Sequence, residues 1–211
     1  MTSCNHDAVI QTARDALQAK QSALVHGLYA WDPQYDRMLR EDECRRQTAL
    51  VNAGYAVRVA CTVETVRSFL KFHSDSQKQV VILGAGLDVL GLWASLFAET
   101  VVVEIDLPSV AKEKTDMIKT KHSQLFAVSS NYPMRSSYRI KKSGKDNFHV
   151  VAADLNDVEA LDLEMEKCLD RMLPTLVVSE LVLAYLDEPV GQLLAWCKSS
   201  LCQHDQSVMF A

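Results

Sequence analysis

Residues able to do chemistry gather where apolar runs of the sequence end. Gly84-Ala85-Gly86-Leu87-Asp88 follows the run Gln79-Val80-Val81-Ile82-Leu83. Glycine in such a loop lets backbone approach a ligand closely, in conformations a side chain resists. Gly84 and Gly86 are therefore candidate contacts, although a plain strand-to-helix turn can carry the same sequence. A dinucleotide-binding G-x-G-x-x-G turn needs a third glycine where this chain has Val89. The loop thus suits a ligand without a pyrophosphate, such as S-adenosylmethionine, better than a nicotinamide cofactor.

A second run, Thr100-Val101-Val102-Val103, leads into Glu104-Ile105-Asp106, roughly 20 residues after the glycines. An acid at that point can accept hydrogen bonds from both ribose hydroxyls of an adenosine. Glu104 and Asp106 are both candidates, with Asp106 favoured slightly; a solvated strand end or a helix cap is the plainer alternative. After the run at 148–152 come Asp154 and Leu155, suited to holding an adenine amino group and packing on its ring. Asp154 reads equally as the cap of a following helix. After the run at 174–179 come Glu180, placed for the positive methionine part of such a ligand, and Tyr185, placed for an acceptor.

These motifs need a scaffold that presents them together. Short continuous apolar runs at 79–83, 100–105, 148–152, 174–179 and 207–210 predict strands covered on both faces. Helical spacing between them predicts helices from Leu87 through Phe97, at 110–122, at 158–169 and at 189–201. Strand alternating with helix gives a doubly wound parallel sheet, whose ligands lie beyond the carboxyl ends of the strands. Two helical stretches, 6–30 and 45–72, precede the first strand, with Trp31-Asp32-Pro33 breaking them apart. The expected organisation is a helical cap over 1–76 and a ligand-binding α/β core over 77–211.

The bulk composition restricts the function classes. The chain has 211 residues, 48% hydrophobic and 23% charged, which fits one globular unit. No apolar run reaches the roughly 18 residues that span a bilayer, and the polar start lacks a secretory signal. A cytoplasmic protein with no membrane association is expected. The net charge of −5 argues against nucleic acid, and the basic run Arg139-Ile140-Lys141-Lys142-Ser143-Gly144-Lys145 reads as a solvated loop. Cys4, Cys44, Cys61, Cys168, Cys197 and Cys202 form no CxxC pair. No metal site is expected, and the thiols read as reduced and structural.

Several segments in order resemble one family. LGAGLD and VEIDLP within 80–108, SELVLAYL at 179–186, Lys20 in ALQAKQSALVHGLYAWDP and Arg58 in NAGYAVRV are similar to the leucine carboxyl methyltransferases. The resemblance covers most of residues 15–200. It implies a Rossmann-like class I methyltransferase fold and S-adenosylmethionine as cofactor, held by Lys20, Arg58, Gly84, Asp106, Asp154, Leu155 and Glu180. It also implies that Lys20 and Arg58 meet the cofactor carboxylate, with Arg58 close to the acceptor carboxylate as well. Ala53-Gly54 stands where the family usually has Arg-Gly. The family carries further strands and an acceptor-binding insertion, which this sequence is read as lacking.

The implied reaction is attack of a carboxylate oxygen on the sulfonium methyl group. A carboxylate is ionised at neutral pH, so no general base is needed. Arg58 and Tyr185 are the candidates for holding the acceptor. The implied acceptor and partner is the C-terminal leucine of a type 2A protein phosphatase catalytic subunit. A carboxyl methyltransferase of the tRNA wybutosine pathway ranks second, because the chain is acidic and has no kelch repeats. A methyltransferase-like protein that binds cofactor without turnover is the third reading.

Overall fold

The computed structural model describes residues 6–27, 30–41, 43–129, 137–142, 145–186 and 190–210. Three helices come first: α1 (His6–His26), α2 (Pro33–Leu39) and α3 (Ala49–Phe72). α1 stops at His26, short of the expected 30, and the expected break at Trp31-Asp32-Pro33 instead starts another helix. Asp32 accepts hydrogen bonds from the Gln34 and Tyr35 amides, and Pro33 occupies the first turn, where a missing N–H costs nothing. α3 begins at its Thr48 cap rather than at 45. Its Ala56, Val59, Val63, Val66 and Leu70 fall on one buried face at helical spacing.

The rest alternates: β1 (Lys78–Leu83), α4 (Leu90–Ala94), β2 (Thr100–Asp106), α5 (Pro108–Lys121), β3 (Ala127–Ser129), β4 (Tyr138–Lys142), β5 (Lys145–Ala152), α6 (Val158–Met165), β6 (Thr175–Ser179), α7 (Val190–Trp196) and β7 (Val208–Phe210). The sheet order is β3-β4-β5-β2-β1-β6-β7. From β5 to β7 every pairing is parallel, as a doubly wound sheet requires. The strand order reverses direction between β1 and β6, so the crevice for a ligand lies at their carboxyl ends.

The sheet is covered on both faces. Val80, Ile82, Val102 and Val178 pack with Val63, Val66 and Leu70 of α3 and Ile118 of α5. Their neighbours Val81, Leu83, Val103 and Val177 pack with Leu161 of α6 and Leu193 and Trp196 of α7. That alternation along continuous apolar runs is the two-residue period of a strand buried on both sides.

One expectation needs correction. Within the basic run, residues 139–142 are not a solvated loop but belong to β4, and Lys145 opens β5, its antiparallel partner; Ser143 and Gly144 lie outside the described residues. Ile140 is fully buried opposite Phe148 and alternates with basic neighbours. β4 is paired on both sides, with β3 through Ala127–Ser129 and with β5, so its charged residues alternate with Ile140 within the sheet rather than lying on an edge strand. Among the described residues, no helix is long and apolar enough to cross a membrane.

Candidate functional site

A cavity of about 470 Å³ lies over the carboxyl ends of β1, β2, β5 and β6, against α1 from Val9 to Lys20. Lys20, Arg58, Gly84, Gly86, Glu104, Asp106, Asp154, Leu155, Glu180 and Tyr185 all border it. They come from six separate stretches of chain, and the fold brings every one of them to the same space.

The floor is the loop after β1. Gly84 and Gly86 have φ of +61° and +55°, in the left-handed region that favours glycine. A Cβ on Gly84 would lie 2.3 Å from Val182 Cγ2, whereas one on Gly86 would meet only Ala13 Cβ at 3.8 Å. The Gly86 amide donates to Asp106 Oδ2 at 2.7 Å, and the Leu107 amide donates to Asp106 Oδ1 at 2.8 Å. Burial raises the Asp106 pKa while those two amides oppose the rise. Each oxygen retains acceptor capacity beyond its amide.

Glu104 has a different environment. It is 1% exposed, its Oε2 lies 2.9 Å from Lys114 Nζ, and its Oε1 accepts from the Gly91 amide at 3.2 Å. Burial pushes its pKa up to about 7 against the opposing pull of Lys114. Glu104 is therefore engaged beneath the loop, whereas Asp106 sits at the strand's end.

Asp154 is exposed, and its Oδ1 accepts from both the backbone and the side-chain nitrogen of Asn156 at 2.9 Å. The alternative that it caps α6 is overturned: Asp157 is the cap, accepting from the Ala160 amide at 3.1 Å. Leu155 turns inward and is 6% exposed.

Across the floor lies a cluster of charges. Lys20 Nζ donates to Asp88 and, at 2.9 Å, to Glu180 Oε2. Arg58 Nη2 donates to Glu180 Oε1 at 2.7 Å, and its guanidinium lies 4.5 Å from the Tyr55 ring centroid. Burial alone would lower the Lys20 pKa, but Asp88 and Glu180 outweigh it and raise it. Asp88 and Glu180 balance buried Lys20 and partly exposed Arg58, so the buried cation is tolerated here. Leu181 has φ of +56°, a strained value for a side chain of its size, and it turns the chain between Glu180 and Val182. Tyr185, 69% exposed, stands at the rim in a short 3₁₀ turn, Leu183–Tyr185.

Three further residues belong to this architecture. The Tyr35 hydroxyl donates to Asp88 Oδ1 at 2.8 Å, and Lys114 donates to the Asp88 carbonyl oxygen. Asp88 is part of the LGAGLD segment, so its position beside the glycines was a usable signal. Tyr35 and Lys114 have no sequence signal, because their partners are distant in the chain.

Comparison with known proteins bears on this geometry. The model of a family described as leucine carboxyl methyltransferase matches residues 8–197. Leucine carboxyl methyltransferase 1 of Rattus norvegicus is 29% identical over 212 residues, covering 94% of this chain and 61% of that protein. Its counterpart from Bos taurus is 28% identical, covering 94% of this chain and 60% of that protein. The tRNA wybutosine-synthesizing protein 4 of Rattus norvegicus is 30% identical over 160 residues, covering 72% of this chain and 23% of that protein. The chain thus spans about three fifths of the leucine carboxyl methyltransferases it matches.

Proposed function

We infer the function from the match over residues 8–197: this chain belongs to the leucine carboxyl methyltransferase family. Its cavity binds S-adenosylmethionine and directs methyl transfer to a carboxylate, forming a methyl ester. The observation that carries this reading is the convergence of Lys20, Arg58 and Glu180 beside the bare backbone of Gly84. When bound, the cofactor supplies an electrophilic methyl group on a positively charged sulfur.

The chain's own residues fit that ligand in kind. Asp106, with each oxygen fixed by one amide, accepts hydrogen bonds from the ribose hydroxyls. Glu104 takes no direct part in this, since it is engaged by Lys114. Asp154 accepts from the adenine amino group and Leu155 packs beside the ring. Gly86, where a side chain would meet little, lets backbone and ligand approach. Lys20 and Arg58 hold the ligand carboxylate, and Glu180 offsets its positive charge. Residues 1–76 act as a helical cap over the core at 77–211.

The acceptor carboxylate is already ionised, so no side chain must remove a proton. Arg58 and Tyr185 orient it at the rim, and the cap limits water around the reacting oxygen. Rate enhancement then comes from alignment and from a nucleophile with fewer water contacts.

The acceptor that agrees best with the family is the C-terminal leucine carboxylate of a type 2A protein phosphatase catalytic subunit, met in the cytoplasm. The similarity to the wybutosine-synthesizing protein supports a tRNA-borne carboxylate as the second reading. The test is transfer of labelled methyl from S-adenosylmethionine to a phosphatase C-terminal peptide, with its C-terminal amide as control. Base-labile label on the free acid and none on the amide is expected. Label only on tRNA supports the second reading. Cofactor binding with no transfer to either acceptor overturns the enzymatic one.

A further inference from the structure

Lys20 cannot be placed by α1 alone. A lysine side chain is a flexible stem ending in an ammonium with three donors, and burial without partners would discharge it. Here one donor goes to Glu180 Oε2 at 2.9 Å and another to Asp88 Oδ2. The third is left for a ligand. Where that third donor points depends on the ammonium being held between two carboxylates rather than drawn onto one.

Asp88 is itself held firmly. Its Oδ1 accepts from the Tyr35 hydroxyl at 2.8 Å and from the Val89 amide at 2.5 Å, which leaves Oδ2 for Lys20. Tyr35 is 1% exposed, and its ring packs edge-on between Trp31 and Trp93, with both centroids 6.1 Å away. Trp93 is fixed in turn by its Nε1 donating to Asp32, the cap of α2. Burial, reinforced by the charge of Asp88, raises the Tyr35 pKa well above the usual tyrosine value, so its hydroxyl remains a donor.

We propose that Tyr35 and Asp88 are positioning residues: they hold Lys20 between Asp88 and Glu180, so that its remaining donor meets the carboxylate of the cofactor's amino-acid part. This rests on the reading of Lys20 as a carboxylate-binding group. Neither residue needs to touch that carboxylate. Without the pull of Asp88, the ammonium collapses onto Glu180. Lys20 then loses its orientation, and Glu180 loses charge available to the ligand's positive part.

A pair of ligands tests this in the full chain. S-adenosylhomocysteine carries the amino-acid part and 5′-methylthioadenosine lacks it, while both carry the adenosine. For wild type, Asp88→Asn and Tyr35→Phe, the ratio of the two dissociation constants is measured by calorimetric titration. The ratio cancels any general loosening of the fold, which weakens both ligands alike. Wild type is expected to prefer S-adenosylhomocysteine. Asp88→Asn is expected to reduce that preference about tenfold, as loss of a hydrogen bond to a charged group implies, and Tyr35→Phe severalfold. An unchanged ratio in both variants, whatever the absolute affinities, overturns the positioning role. Equal affinity of wild type for the two ligands overturns it differently, by removing the carboxylate-binding role of Lys20. Failure of S-adenosylhomocysteine to bind wild type would refute the cofactor reading beneath both.

Discussion

Glu180→Gln is expected to weaken S-adenosylmethionine binding about a hundredfold, from the roughly 3 kcal/mol that accompanies stripping one partner from a buried charge pair. The lower end of that range applies because the Arg58 side chain is 30% exposed and water replaces part of what it loses. The carboxylate accepts from Lys20 at 2.9 Å on one oxygen and from Arg58 at 2.7 Å on the other. Glutamine preserves the volume and one acceptor but presents an NH₂ donor to one of the cations. It also removes the negative charge set against the ligand's positive part. Calorimetric titration measures the effect, with the melting temperature as a control for folding. An affinity within about threefold of wild type, less than 1 kcal/mol, would remove Glu180 from the site.

Gly84→Ala is expected to cost about 2–5 kcal/mol of stability, from two separable causes. The first is backbone: φ is +61°, where an L side chain meets its own backbone. The second is packing, since the new Cβ would lie 2.3 Å from Val182 Cγ2 and 2.7 Å from Val182 Cβ. Val182 cannot withdraw freely, because Leu181 before it is already at φ +56°. At about 2–4 °C per kcal/mol for a chain of this size, the melting temperature should fall by roughly 5–15 °C. The double variant Gly84→Ala, Val182→Ala should recover only the part of the packing cost due to the Val182 methyl groups, since the Cβ of residue 182 at 2.7 Å remains, and none of the backbone part. A single variant that melts with wild type would mean that the turn after β1 is not the one described. Displacement of Val182 would also move its neighbour Glu180, so cofactor binding should fall with stability.

Much of this arrangement was legible in the sequence, for definite physical reasons. β1, β2 and β6 are continuous apolar runs because both their faces are covered, and helical segments separate them. Once the sheet is read as doubly wound, Gly84, Asp106, Asp154 and Glu180 stand out as residues at or just beyond strand ends. Lys20 and Arg58 carry no such signal: a lysine or arginine in a helix is ordinarily solvated. They emerged only from the resemblance of their surrounding segments.

What escaped the sequence lacked a local pattern. β4 has Ile140 as its fully buried residue among charged neighbours, so it read as loop. α2 was hidden because Pro33 looked like a stop, whereas beside an aspartate cap it begins a helix. Tyr35 and Asp88 are 53 residues apart, and Lys20 and Asp88 are 68 apart. Such pairings exist only after α1 and α2 fold across the sheet. Lys114 and Glu104 are 10 apart, but nothing in a helix of alternating charges singles out the lysine that turns inward.

The central claim is that the cavity at the ends of β1 and β2 binds S-adenosylmethionine with Asp106 on the ribose. The most direct test is calorimetric titration of S-adenosylmethionine and S-adenosylhomocysteine into the folded chain and its Asp106→Ala variant. Saturable one-to-one binding of both ligands to wild type, weakened at least about tenfold by loss of the charged acceptor, is the predicted result. No heat of binding to a chain that melts cooperatively, or equal affinity in the variant, would contradict it.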